Sequence, residues 1–566
     1  MNGTTLLAAQ RAPALIDREQ ELETIRRAIY QPQTPLEIVL IRGAGGMGKS
    51  RLVEEVLWRG GNGRARQSRH EHLADEQDWT KQAPAIVSDI IDMNNIALHS
   101  RTAFMHAVRD ALIWEGSGIR FPNYDAAYGE FLRQRVMQGD YTFLKELEER
   151  AEKSFFDDYR QNAERQRLVL VLDTIEKLYP IGGTRLLLEA GLLETEDIAF
   201  YTYHWLLQQI EQNRLPNTTL LLVGRGEEGK EFFEEIAQVA GKNPQCKVTP
   251  LDIGPFSLEN TRTYFKILAA DWQKRAQENP QLENIAQTIT NIATDEERTE
   301  IIWIYTGGQP VRLALYTDLI VEDWTIPAPF QKTLEEARQA QTSEQELEQA
   351  RREIEAGFIR LLFGGAHPRA HILQALVRAP RGLDAEQLHY LLTSNPEQTV
   401  EDWQKHGSNG AEITLPQIEK ELESLRNLAL VKIRPDGRLG LQDEIYRIYA
   451  RALSGEEHQR KAESEARQKL YRQLADWAKH KHQEYLREVI AYQAQDESLL
   501  NLGRPSDALK VSFPHLSLRD QQRRDQARAF LQHWELEYLH YAVLSDFRYN
   551  FNHLLFEIGD EKLIAN

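Results

Sequence analysis

Glu37-Ile38-Val39-Leu40-Ile41-Arg42-Gly43-Ala44-Gly45-Gly46-Met47-Gly48-Lys49-Ser50 is the stretch from which the rest of the chain can be read. Residues 37–41 form the short β-branched run expected of a buried parallel strand. Gly43 to Ser50 then fits G-x-x-x-x-G-K-[ST], the phosphate-binding loop. The glycines at 43, 45, 46 and 48 leave backbone N–H groups facing a concave loop that side chains would block, with Ala44 and Met47 between them. In such a loop Lys49 reaches the β- and γ-phosphates, and the Ser50 hydroxyl is a ligand for Mg²⁺. Arg51 opens a segment with helical spacing, Arg51 to Trp58, that stops at Gly60-Gly61. The positive end of that helix would face the phosphates. ATP or ADP with Mg²⁺ is the expected cofactor.

A carboxylate must complete the metal site. Leu168-Val169-Leu170-Val171-Leu172-Asp173 reads as a buried strand ending in an acid, the pattern that sets a second Mg²⁺ contact beside the phosphate loop. Asp173 is not followed directly by a glutamate. Thr174 stands there, and the nearest acid is Glu176, which either orients an attacking water or lies on a solvated face. Thr219 to Val223 forms another apolar strand and runs into Gly224-Arg225, so Arg225 stands at a strand exit where parallel sheets bind ligands. Ala85 to Met93 is a further strand, and Tyr124 to Met137 a helix. Ile16, Leu22, Ile25 and Ile29 give the start of the chain an amphipathic helix. Alternating strands and helices of this kind predict a doubly wound parallel sheet.

The bulk numbers set limits. At 566 residues the chain exceeds what one core supports, so several packed units are expected. Hydrophobic residues make up 41% and charged ones 27%, which excludes a mainly disordered or fibrous chain. No apolar run approaches bilayer length, and Met1 to Leu7 lacks the form of a signal peptide, so a cytoplasmic protein without membrane contact is expected. A single cysteine, Cys246, excludes an internal disulfide and any cysteine-based zinc site. The net charge of −18, with 86 acids against 68 bases, argues against nucleic acid as partner.

The order Asp17-Arg18-Glu19, phosphate loop, Leu172-Asp173-Thr174-Ile175-Glu176, Val223-Gly224-Arg225 resembles the STAND class of signalling ATPases, relatives of the AAA+ proteins that include the NACHT and NB-ARC switches. Leu251 to Ser257, leading into a helix, resembles that family's passage to its helical subdomain. Tyr305-Thr306-Gly307-Gly308-Gln309-Pro310 resembles its G-x-P element, which implies that Pro310 packs near the adenine. The resemblance further implies an adenine-side contact at Arg18 and a γ-phosphate sensor at Arg225. Asp17 stands where the family often has glycine.

Residues 332 to 357 are highly charged and read as a solvated linking helix. Beyond them, 371–377, 385–392 and 415–428 read as short packed helices, and 430–434 with 438–441 as a hairpin around Pro435-Asp436-Gly437. Three helices and a hairpin make a winged helix. Its third helix carries Glu419, Lys420, Glu421, Glu423 and Arg426, three acids against two bases, which disfavours phosphate contact. Leu441-Gln442-Asp443 aligns with the family's Met-His-Asp motif, so the resemblance places Gln442 where a histidine holds the β-phosphate of ADP.

The expected architecture is therefore an α/β P-loop NTPase domain (12–255), a helical subdomain (256–345), a winged-helix domain (346–455) and an all-α C-terminal region (456–566), where relatives begin a helical-repeat sensor. The implied function is an ATP/ADP-controlled switch with slow hydrolysis, an unidentified protein or ligand trigger, and self-association on activation, in bacterial defence or regulation. Two other readings stand beside it: an AAA+ winged-helix DNA-handling ATPase of the replication-initiator type, and a nucleotide-bound scaffold that never hydrolyses.

Overall fold

The structure is a computed structural model that describes residues 15–68, 73–93, 96–136, 141–178, 202–227, 229–321, 328–363, 368–394, 400, 403, 413–426, 430–434, 437–453, 457–502 and scattered positions between 527 and 545. Met1 to Leu7, Met137, Leu428 and the turn residues Pro435 and Asp436, all used in the sequence reading, lie outside the described residues, as does much of 503–566.

Five strands, β1 (Leu36–Arg42), β2 (Ala85–Asp92), β3 (Arg167–Asp173), β4 (Thr218–Gly224) and β5 (Cys246–Asp252), form one sheet in the order β2-β3-β4-β1-β5. Every pairing in it is parallel. The central strands are apolar through their middles, Ile38–Ile41, Leu168–Leu172 and Leu220–Val223, because both faces of the sheet are covered. Leu168, Leu170 and Leu172 of β3 turn to one side, where Ile38, Leu40, Phe104, Tyr159, Trp205 and Phe232 are also buried. Val169 and Val171 turn to the other side and meet Leu22, Ile25, Leu52 and Val56. The period of two along a single strand thus divides one apolar run between two cores. Each fully buried aliphatic side chain in it contributes about 1.5–3 kcal/mol.

Helix α1 (Glu19–Tyr30) and helix α2 (Lys49–Arg59) supply the second of these faces. β5 did not announce itself in the sequence, where Leu251 to Ser257 read only as a passage toward a helix. It carries Lys247, Thr249 and Pro250 and is half-buried, because it borders only β1. An edge strand tolerates proline, which a central strand does not. In β2 the pairing shifts between Val87 and Ile90, and the Ser88 hydroxyl there accepts the Val171 N–H at 3.0 Å.

Leu258–Glu278, Glu283–Thr294, Glu296–Thr306 and Pro310–Val321 are helices that pack against one another around Trp272, Phe265 and Ile289. Ser257 caps the first by accepting the Asn260 N–H, and Asp295 caps the third in the same way from Arg298. The charged segment 332–357 is two helices, Leu334–Thr342 and Glu344–Phe363, parted at Ser343. It is not simply solvated. Ala337, Ala340, Ala350 and Glu355 are buried, and Glu355 accepts from Arg312 at 3.1 Å and Arg451 at 2.8 Å. Alternation of acids with alanine hides a narrow buried stripe that composition alone does not reveal.

Two compact units divide the chain. The first holds residues up to 364 with 380–382 and 422–452, and the second holds 365–379, 383–421 and the remainder. The antiparallel hairpin β6 (Val431–Ile433) and β7 (Leu439–Leu441) and the helix Asp443–Leu453 fall in the first, apart from the last residue of that helix. The helices Pro368–Arg378 and Ala385–Thr393 fall in the second, and Leu415–Leu425 is divided at 421/422. Within the second unit Tyr390, Val400 and Trp477 form a small core with Trp403 packed on it. There Arg378 grips Glu463 through two N–H groups at 2.8 and 3.1 Å. Glu457–Leu502 is a 46-residue helix. Among the described residues no helix is long and apolar enough to cross a membrane.

Candidate nucleotide site

Register fixes the site. Ile41 and Asp173 both pair with Val223, so the ends of β1, β3 and β4 lie side by side. The glycine loop leaves the first, Asp173 ends the second, and Gly224-Arg225 leaves the third. A cavity of about 210 Å³ opens at this carboxyl edge, the usual ligand position of an open α/β sheet.

Gly46 and Gly48 take positive φ, 77° and 87°, which only glycine adopts without strain. Gly46 has a second constraint: a Cβ there would sit 2.1 Å from Val311 Cγ1. Its carbonyl accepts the Val311 N–H at 3.1 Å, so the loop is tied to the start of Pro310–Val321. Lys49 Nζ donates to the carbonyls of Gly43 and Ala44, each at 2.8 Å, and is curled over the loop where a phosphate would compete for it. Ser50 Oγ donates to Asp173 Oδ2 at 3.3 Å. Asp173 Oδ1 accepts the Thr174 N–H at 2.8 Å. Burial pushes the Asp173 carboxyl above the usual carboxylate range, and the Lys432 ammonium pulls it back. A hydroxyl and a carboxylate, both hard oxygen donors, are the ligand chemistry Mg²⁺ selects, so these residues fit that ion.

Thr174 has φ 61°, a left-handed conformation that costs a β-branched residue about 1–3 kcal/mol. It turns the chain so that Glu176 points back inward. Glu176 is not on a solvated face. Its side chain is 4% exposed, accepts the Arg225 N–H at 3.2 Å and lies 3.7 Å from Arg225 Nε. Burial raises its pKa, opposed by these hydrogen bonds and by the Arg225 charge. Glu176 and Arg225 both line the cavity, with Asp173 and Thr174.

The other end of the cavity is apolar, lined by Leu15, Ile16, Phe256, Tyr264, Pro310, Val311 and Ala314. Arg18 is buried beside it. It donates to Gly254 O at 2.7 Å and Met47 O at 3.5 Å, and its guanidinium lies 5.4 Å from the Phe256 ring centroid. Arg18 therefore binds the loop to the segment after β5. Arg51 lines the cavity and approaches Glu54 at 3.4 Å. Gln442 lines it too, but its Nε2 also donates to Val431 O at 3.4 Å within the hairpin.

Sequence reasoning missed Lys432, Glu444, Phe256 and Tyr264, all of which line the cavity. Lys432 had one visible signal, a lone cation within the apolar strand Leu430 to Ile433. The others come from helices or loops whose role depends on tertiary packing.

Sheet order, glycine loop and strand-end carboxylate define a P-loop NTPase fold. No family model matches the chain, and no curated protein matches it. Among solved structures it is similar to a Walker-type ATPase of Pyrococcus abyssi, at 14% identity over 77% of this chain and 96% of that one, TM-score 0.29. It is also similar to the ORC2 protein of Aeropyrum pernix in ADPNP–ADP complexes, at 14% identity over 78% and 94%, TM-score 0.29. Drosophila ORC bound to DNA gives 11% identity over 78% and 96%, TM-score 0.30. Likenesses this distant leave function to the chain's own residues.

Proposed function

We propose that the protein binds ATP or ADP with Mg²⁺ in this cavity and works as a nucleotide-controlled switch of the STAND type, related to AAA+ ATPases, with slow hydrolysis. One observation carries the reading. Residues from the glycine loop, from the ends of β3 and β4, from the helix at Pro310 and from the hairpin region 432–444 all line a single cavity. A ligand there touches elements far apart in the chain, which is what lets its identity bias a two-state arrangement.

The loop N–H groups and Lys49 would hold the phosphates, and Ser50 with Asp173 would hold the metal, whose charge supplies neutralisation of the phosphate oxygens. Glu176, buried with a raised pKa beside Arg225, would accept a proton from an attacking water, and Arg225 would meet the terminal phosphate. The apolar end, with Phe256 and Pro310, would take the base. By the same reading Gln442 contacts the phosphates of the closed form, and activation ends in self-association.

The test is the nucleotide that the purified chain retains. Denaturation and chromatography should release ADP from the wild type and none from Lys49→Ala. Phosphate release should fall at least about a hundredfold in Glu176→Gln, the scale of one lost acid–base group. Equal, background-level phosphate release from wild type and Lys49→Ala would leave a non-hydrolysing scaffold. The DNA-handling reading also joins a P-loop core to a hairpin-bearing domain. Filter binding of duplex DNA decides it, since tight binding that weakens steeply with salt belongs to that reading alone.

A further inference from the structure

Lys432 in the middle of β6 and Arg434 just after it are alternate residues, and each meets a carboxylate at the end of the main sheet. Lys432 Nζ lies 3.8 Å from Asp173 Oδ2, and Arg434 Nη1 lies 3.0 Å from Asp92 Oδ2. The two carboxylates are themselves register partners, Asp92 on β2 facing Asp173 on β3. One strand of the hairpin therefore sets two cations on two adjacent acids.

The two contacts differ in kind. Arg434 and Asp92 are both 7% exposed, and Arg434 also donates to Pro380 O at 2.6 Å, so this pair is an anchor. Lys432 is 18% exposed on a flexible stem, so its ammonium can leave for water once another cation offsets the charge of buried Asp173. The oxygen it approaches, Asp173 Oδ2, is the one that Ser50 Oγ contacts at 3.3 Å. A divalent cation held between Ser50 and Asp173 must use that oxygen. The ammonium and the metal cannot both stand there, since their like charges repel across a few ångströms of partly buried space.

We propose that Lys432 is a tethered counter-cation at the metal position, so that hairpin docking on Asp173 and Mg²⁺ loading exclude each other. This rests on the reading of the cavity as a Mg²⁺–nucleotide site. Nucleotide without metal is compatible with the docked hairpin, because its phosphates would be held by the glycine loop and Lys49 and not by Asp173. Metal arriving at Asp173 displaces the Lys432 ammonium and weakens the hold of the hairpin while Arg434 keeps its place on Asp92. The sensed variable is therefore the metal as well as the nucleotide.

The experiment loads the full chain with a fluorescent ADP analogue in EDTA and titrates Mg²⁺, in wild type, Lys432→Met, Lys432→Gln and Lys432→Arg. Both neutral variants should bind Mg²⁺ about tenfold more tightly, allowing for solvent screening of a partly exposed ammonium. Their affinity for the analogue in EDTA should be unchanged, and Lys432→Arg should match the wild type. Hydrogen exchange in 431–441 of the wild type should rise when Mg²⁺ is added to the loaded protein. Neutral variants whose Mg²⁺ affinity is unchanged, with analogue binding intact, overturn the exclusion and leave the nucleotide site standing. Neutral variants that lose analogue affinity in EDTA would show that Lys432 holds a phosphate, which also overturns it. Wild-type binding no better than Lys49→Ala removes the nucleotide site itself, and the inference with it.

Discussion

At its phosphate end the cavity is built on one unbroken run, Gly45 to Arg51, joined by Asp173, Glu176 and Arg225 at the ends of β3 and β4 and by Lys432 and Gln442, whereas its apolar end gathers Leu15, Ile16, Phe256, Tyr264 and Pro310 to Ala314 from separate stretches of chain with no such run. The first end is shaped by backbone: positive φ at Gly46 and Gly48, and a helix that begins at Lys49. The second is shaped by packing, through Arg18 stacked on Phe256 and through Val311 lodged against Gly46. A backbone-made site keeps its form when its surroundings shift. A packing-made site does not, so the apolar end follows any shift of the helices around it.

If that contrast holds, the largest effect on binding falls at the phosphate end and leaves the fold intact. Lys49→Ala should lose about a hundredfold in affinity for ATP and for inorganic tripolyphosphate alike, roughly 3 kcal/mol, the cost of removing one partner from a charge-assisted contact. Calorimetric titration measures it. The melting temperature without ligand should not move, because the carbonyls of Gly43 and Ala44 that Lys49 holds lie at an exposed or half-buried loop surface, where water can replace the ammonium. A large loss of thermal stability would mean that the loop depends on packing after all.

Gly46→Ala probes the join between the two ends. Its Cβ would stand 2.1 Å from Val311 Cγ1 on a backbone with φ 77°. Backbone strain and overpacking together should cost about 2 kcal/mol of stability. Here, unlike at Lys49, melting temperature and nucleotide affinity should fall together. Replacing Val311 by alanine as well should recover part of the stability, and no recovery would show that the join carries none of the strain.

The same contrast explains what could be read in advance. The strands β1, β3 and β4 and the helix after the loop were legible because a fully covered strand writes itself as an apolar run, and because phosphate geometry demands glycine, lysine and serine at fixed spacing. β5 was not legible, since an edge strand with Lys247, Thr249 and Pro250 lacks that run. Glu176 was ambiguous until the left-handed turn at Thr174 directed it inward against Arg225. The charged stretch 332–357 looked solvated because Glu355 finds its partners, Arg312 and Arg451, far away in sequence. Phe256 and Tyr264 gave no signal as site residues: an aromatic beside a helix start is equally a core residue until the fold brings Pro310 opposite. Lys432 was visible as a cation in an apolar strand, yet its meeting with Asp173 is a matter of topology alone.

The smallest effect, and the sharpest test of the contrast, is Phe256→Ala. The residue is 8% exposed, and its main chain is held independently, the N–H donating to Gly308 O at 2.8 Å. Truncation therefore removes the face offered to a base and the support under Arg18 while leaving the local backbone in place. Affinity for ATP and ADP should fall about tenfold, the worth of roughly one aromatic contact and one cation–π pairing. Affinity for tripolyphosphate should stay within about twofold, because the loop N–H groups, Lys49 and Asp173 act from the opposite end of the cavity, and sites without shared partners add independently. Competition titrations with ATP, GTP and tripolyphosphate against one fluorescent nucleotide separate the terms, and preference for ATP over GTP should narrow. A matching loss for tripolyphosphate would mean that Arg18, through its bonds to Met47 and Gly254, carries the disturbance into the loop. The two ends would then form one cooperative element, and the glycine run would hold its shape only with the apolar end in place.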